Sequence, residues 1–225
     1  MSETAAEPAI SARHMVRRGL KGALATVDAA SGAPYSSMIL LATDIGGAPL
    51  TLISTLARHT RNLAANPVAS LMIDLSNAAG DAESGGRITL AGRLTPVAKE
   101  VAKVRFLARH PASAGYADFA DFAFYRLEID TAHMIEGFGR IVTLPAAALA
   151  PQPFEPANFA DQEPYALVEI RRRWPHVSGL DPEGADLRYE SQSDRLRFPH
   201  TVTTVEAAAR AAANCLVAAS LNTGQ

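Results

Sequence analysis

Ser54, Thr55, Arg58, His59, Thr60, Arg61 and Asn62 fall within one short stretch of LISTLARHTRNLAANP, between two apolar runs. Hydroxyls at a strand end, two guanidinium groups and the free N–H groups of a helix start are what a phosphate ester needs: directional donors plus positive charge, with a small helix-dipole contribution. The same residues also make an ordinary amphipathic helix with Thr60 as its N-cap and the arginines in solvent. Both readings require the same local elements across Ala48 to Leu75. Pro49 to Ile53 is an apolar strand, Ser54-Thr55 ends it, Thr60 to Ala65 has helical spacing, and Asn66-Pro67 stops that helix before Val68 to Leu75 resumes extended structure.

The surrounding chain supplies a barrel-like set of elements. Ala9 to Arg18 reads as a helix ended by Gly19, after a frayed tail over residues 1 to 7. Gly22 to Val27 and Tyr35 to Thr43, separated by DAASGAP, pair as an antiparallel hairpin. SNAAGDAESGG is a polar loop; beyond it Arg87 to Val97 is a strand in which Gly92 marks a bulge or bend. Pro96 to Arg109 is the clearest helix, with Val97, Val101, Val104 and Leu107 or Ala108 as its core stripe. Phe122 to Ile129 and Ala132 to Val142 read as two strands joined by Asp130-Thr131. Antiparallel strands of about six to ten residues, punctuated by turns, predict a mainly β, α+β fold, a six- to seven-stranded split barrel with flanking helices. No strand is followed by GxGxxG or GxxxxGK[ST], so neither a Rossmann nor a P-loop site is expected.

Composition shifts at Leu144. The Pro/Ala-rich LPAAALAPQPFEPANFADQEP reads as a linker, and the remainder as a small α/β domain over 151–225: helix Tyr165 to Arg173, a hairpin of Ala185 to Glu190 with Arg195 to Phe198, and helix Thr204 to Leu221 capped by Thr203 or Thr204. A net charge of −2 leaves no global basic field for nucleic acid, and no stretch reads as a secretory leader or a membrane span, so a cytoplasmic protein is expected. The lone Cys215 reads as packing. Asp118 and Asp121 are expected on a solvated rim, and Asp181 and Glu183 in a water-facing turn. His14, His110, His133, His176 and His200 form no ligand-like pair.

PYSSMILLAT at 34–43, LISTLARHTRNLAANPVASLMI at 52–73, RITLAGRLT at 87–95, GFGR at 137–140 and SGLDPEGADLRYESQSDRLRFP at 178–199 together resemble the pyridoxamine 5′-phosphate oxidase-like FMN-binding split barrels. They are most similar to the haem-utilisation subgroup, which carries an extra C-terminal α/β domain. The resemblance implies FMN at a homodimer interface and an oxidoreductase acting on a small molecule. Ser36, Ser37, Met38 and Ile39 would lie along the flavin ring. Ser54, Thr55, Arg58, His59, Thr60 and Asn62 would hold its phosphate and ribityl chain, with Arg87 and Arg140 as further polar contacts. Ser37 and Ala42 stand where the oxidases carry arginine and lysine, which points away from pyridoxamine phosphate as substrate. The subgroup also implies haem as an alternative ligand, bound or degraded through a histidine, although YALVEIRRRWP lacks that subgroup's His-rich signature. A non-enzymatic binding module on the same barrel is the third alternative.

Overall fold

Alternating inward residues build the first hairpin: Leu24 and Thr26 of β1 (Lys21–Val27) are buried, and β2 (Pro34–Leu40) pairs with it antiparallel, Leu24 opposite Ser37 and Thr26 opposite Tyr35. The computed structural model describes residues 3–75, 85–136, 139–150, 156–189 and 192–222. The chain divides into two compact units, Met1–Ala150 and Pro151–Gln225.

In the first unit, α1 (Glu3–Arg18) precedes the hairpin, so the tail expected to fray is helical from Glu3. The expected strand Tyr35 to Thr43 is broken at Leu41: β2 stays on β1, while β3 (Ala42–Thr43) pairs with β4 (Pro49–Ser54). Then come α2 (Arg58–Ala65), β5 (Val68–Asp74), β6 (Arg87–Pro96), α3 (Lys99–Arg109), β7 (Phe122–Glu136), β8 (Arg140–Pro145) and α4 (Ala146–Leu149). The strand order is β2-β1-β5-β6-β7-β4-β3, with β8 also on β7. This is a curled antiparallel split-barrel sheet of the α+β class, as the sequence predicts. Leu24, Ile73, Ile88, Leu90, Leu127 and Met134 fill its interior. Most of the polar loop expected after β5, residues 76–84, and Gly137-Phe138 of GFGR lie outside the described residues.

Two expectations for this unit are corrected. β7 is one strand of 15 residues, and Asp130-Thr131 lies inside it, not in a turn. The β6–β7 register shifts between Ala91, opposite Thr131, and Gly92, opposite Ile129, so the polar pair sits at a bulge. α3 packs on a different phase from the one expected: Val101 and Val104 are exposed, while Ala102 and Phe106 are buried. Phe106 has more apolar area to remove from water than a valine and meets Phe124 edge-on at 5.6 Å. One turn on, the Arg109 guanidinium donates to the Arg17 carbonyl at 2.8 Å, which fixes the same phase.

The second unit contains α5 (Pro156–Arg171), β9 (Val177–Asp181), β10 (Gly184–Tyr189), β11 (Gln192–Arg197) and α6 (Val205–Asn222), with sheet order β11-β10-β9. The expected linker is shorter than its composition suggests, because α5 starts at Pro156, where proline's fixed φ suits a first helical turn; residues 151–155 lie outside the described residues. β9, unread in the sequence, is buried along its length and therefore shows no alternation. Asp181, expected to face water, is fully buried and ion-paired with Arg195 at 2.7 Å. Thr204 caps α6, accepting from the Ala207 N–H at 3.2 Å. Among the described residues no helix is long and apolar enough to cross a membrane.

Candidate functional site

Where β4 ends, the chain turns back on itself. The Ser54 carbonyl accepts from the Thr60 hydroxyl at 2.6 Å and from the Ala57 N–H at 3.1 Å. Thr60 is therefore not the N-cap of α2. That position is Ala57, which offers no side-chain acceptor to the first-turn N–H groups. The Ser54 hydroxyl donates to Asp121 Oδ2 at 2.8 Å, and the Thr55 N–H donates to the Asp121 carbonyl at 2.7 Å. Asp121 is thus a latch on the strand end, in place of the solvated rim position expected for it. Asp118 does face solvent, bridged by Lys99 and Lys103.

Asn62 and Arg58 stitch α2 to the β1–β2 hairpin. Asn62 Nδ2 donates to Thr26 Oγ1 at 3.0 Å, and Asn62 Oδ1 accepts from the Ala29 N–H at 3.1 Å. Arg58 donates through both Nε and Nη2 to Asp28 Oδ2, each at 2.8 Å, with its guanidinium 4.6 Å over the Tyr35 ring. The other carboxylate oxygen, Asp28 Oδ1, accepts the Ser31 hydroxyl at 2.7 Å and the Ser31 N–H at 3.0 Å. Hydrogen bonds from Ser31 and then Arg58 hold the Asp28 carboxyl down at about 2, from an ordinary 3.8. A depressed folded-state value means that this contribution to stability is complete above about pH 4 and is lost as pH falls through about 2. A carboxyl-carbon NMR titration of Asp28 is expected to show that low midpoint. A midpoint at the ordinary value would show that the latch does not form.

The third feature is His59. Its Nδ1 lies 3.0 Å from Ser37 Oγ, and its Nε2 is buried without a hydrogen-bond partner. Burial lowers the ring's pKa, so the imidazole is neutral at pH 7. If Ser37 donates to Nδ1, Nε2 carries an unused proton; if Nδ1–H donates to Ser37, Nε2 presents an unused lone pair. Either way one polar ring atom is left without a partner, shielded from solvent, and the ring must turn outward for a ligand to meet it. Beside it runs β2, the terminal strand of the sheet order, whose outer backbone edge pairs with no other described strand. Met38 on this strand is 64 % exposed.

The structure thus gathers Ser37, Ser54, Thr55, Arg58, His59, Thr60 and Asn62 in one corner. Ser36 and Met38 alternate onto the opposite face of β2, and Ile39 is buried in the core. Arg87 and Arg140 are not brought there within one chain. Arg87 lies on β6, three strands and about 14 Å across the sheet from β2, and Arg140 pairs with Glu136 at 3.0 Å. The residues missed in the sequence are Asp28, Tyr35 and Asp121. Of these only Asp28 carried a local signal, an aspartate with Ser31 three residues on, the pattern of a side-chain-closed turn. The other ring nitrogens have varied surroundings: His110 Nε2 meets the Leu41 carbonyl at 2.7 Å, His133 Nδ1 meets Thr143 at 3.0 Å, and His176 stacks on Tyr189.

Comparison with known proteins adds three likenesses and a family. A sequence profile described as "CREG, beta-barrel" matches residues 3–148. The Arabidopsis thaliana protein named non-canonical heme oxygenase HOZ, chloroplastic, is 42% identical over 111 residues, 47% of this chain and 33% of the relative. The chain therefore matches about a third of that curated relative's length. Among solved structures, a protein of unknown function from Agrobacterium tumefaciens aligns with a TM-score of 0.79 at 23% identity, over 92% of this chain and 94% of the other. A heme binding protein from Mycobacterium smegmatis aligns with a TM-score of 0.59 at 26% identity, over 96% and 99%.

Proposed function

The chain belongs to the CREG beta-barrel family, and from that premise we propose that its barrel binds a haem-class tetrapyrrole along the open edge of β2, at the face where two copies of the chain meet. The observation that carries this reading is the His59 imidazole, neutral and with an unengaged Nε2. A neutral imidazole is a good ligand for haem iron, and a porphyrin also needs a flat apolar wall and cations for its propionates. The β2 backbone edge beside Ser37 supplies the wall, and the exposed Arg61 a cation. The names carried by the Arabidopsis and mycobacterial proteins point to the same ligand class. When bound, haem would supply redox-active iron. Oxidative ring opening, given an electron donor and dioxygen, is the activity to which this reading extends. The homodimer is part of the proposal: Ala23, Ala25, Met38, Ser70, Met72 and Thr89 share the outer sheet face, a flat surface of small and apolar side chains suited to a second copy. A cytoplasmic setting is proposed with it.

Titration of purified protein with hemin is expected to shift the Soret band and to saturate at a single equivalent per chain, with His59→Ala weaker by about tenfold or more. Absence of a saturable shift, or a His59→Ala variant with an unchanged spectrum and affinity, would defeat the reading. FMN bound by an oxidoreductase is the second reading. Its support is Ala57, whose lack of a capping side chain leaves the first-turn N–H groups of α2 available to a phosphate. Flavin absorbance in the purified protein, released by acid, would favour it.

A further inference from the structure

In the corner, two of the groups that could take a phosphate, the Arg58 guanidinium and the Ser54 hydroxyl, are each engaged by a carboxylate. Arg58 directs two of its N–H groups at Asp28, whose side chain is only 9% exposed. The Ser54 hydroxyl is spent on Asp121, and the backbone of Asp121 takes the Thr55 N–H as well. Arg58 thus faces Asp28, while Arg61, exposed outside this pairing, donates to the Leu56 carbonyl at 2.8 Å. The Arg58 charge that the sequence offers to a phosphate is balanced by Asp28 in the fold.

We propose that Asp28 and Asp121 make this corner selective against phosphate monoesters, so that it discriminates against FMN while leaving a tetrapyrrole unopposed; the inference rests on the tetrapyrrole reading above. A phosphate dianion approaching Arg58 meets one of two obstacles. It displaces Asp28 and strands a nearly buried carboxylate, or it shares Arg58 while lying beside that carboxylate. At Ser54 it competes with Asp121 for the hydroxyl and again meets like charge. Such repulsive elements are how a site rejects one ligand without tightening on another. Porphyrin propionates carry single charges on flexible arms at the ring edge and can reach the exposed Arg61 without entering the corner.

The test uses the full-length chain and its Asp28→Asn and Asp121→Asn variants, with fluorescence titrations of FMN and riboflavin. These ligands differ only in the phosphate, so the ratio of their affinities isolates its contribution. The wild-type ratio is expected within about threefold of unity. Asp28→Asn is close to isosteric, removes the charge and loosens the latch on Arg58, and is expected to tighten FMN by about tenfold or more with riboflavin unchanged; Asp121→Asn should move the same way. Melting curves identify a variant that fails to fold, and the other variant then carries the test. A wild-type protein that prefers FMN over riboflavin by about a hundredfold overturns the proposal. So does an unchanged ratio in the folded variants, including the case in which neither flavin binds. Hemin titration of the same samples separates the two claims: a wild-type protein that ignores hemin removes the tetrapyrrole reading, while the flavin ratio still decides selectivity.

Discussion

Replacing Arg195 with methionine is expected to destabilise the C-terminal unit by about 3–5 kcal/mol. Arg195 on β11 reaches Asp181 on β9 at 2.7 Å and Asp186 on β10 at 2.8 Å, so one guanidinium staples all three strands of the small sheet. All three side chains are at most 3 % exposed. Removing the cation takes from two interior carboxylates the guanidinium they share, a loss of about 3–5 kcal/mol. A unit spanning Pro151–Gln225 has about 4–11 kcal/mol of total stability at the usual per-residue value, so this single change consumes much of it. Converting Asp181 and Asp186 to asparagine in the same chain is expected to restore part of the loss, because the repulsion goes with the charges. Urea denaturation followed by circular dichroism reads both effects. An Arg195→Met protein within about 1 kcal/mol of wild type would show that the cluster is not what holds the sheet.

The second large effect is expected at Gly92. A Cβ built there would lie 1.9 Å from the Glu128 carbonyl oxygen and 2.9 Å from its carbon, both backbone atoms that cannot swing aside. Gly92→Ala must therefore move β7 against β6 at the bulge where their register changes. The expected loss is about 3 kcal/mol or more, at the upper end of overpacking costs. β7 starts directly after Asp121, so a displaced strand also pulls the latch from Ser54. Unfolding midpoints unchanged by this substitution would mean that the bulge is not closely packed.

Gly92 also shows what the sequence could and could not reveal. A lone glycine inside RITLAGRLT announced the bulge, yet the polar Asp130-Thr131 opposite it looked like a turn, because a bulged residue escapes the inward-outward alternation that marks a strand. The helical period of α3 was legible but its phase was not, since Val101/Val104 and Ala102/Phe106 both recur at helical spacing and only the packed partner Phe124 decides between them. β9 is unread because it is buried along its length and shows no alternation, and Asp181 reads as water-facing because its counter-charge comes from Arg195, on another strand. The candidate corner behaved likewise. Ser54 to Asn62 could be singled out as polar residues between strands, whereas Asp28, Tyr35 and Asp121, which set its charge, come from distant segments. Local sequence reports which groups are available; the fold decides which of them are already engaged.

The most direct test is an NMR titration of isotope-labelled protein with gallium protoporphyrin, a diamagnetic stand-in for haem. The expected result is a saturable set of shifts over Ser36–Ile39 and Arg58–Asn62, with the largest nitrogen change at His59 Nε2. Shifts confined to the C-terminal unit, or none at all, would contradict the account.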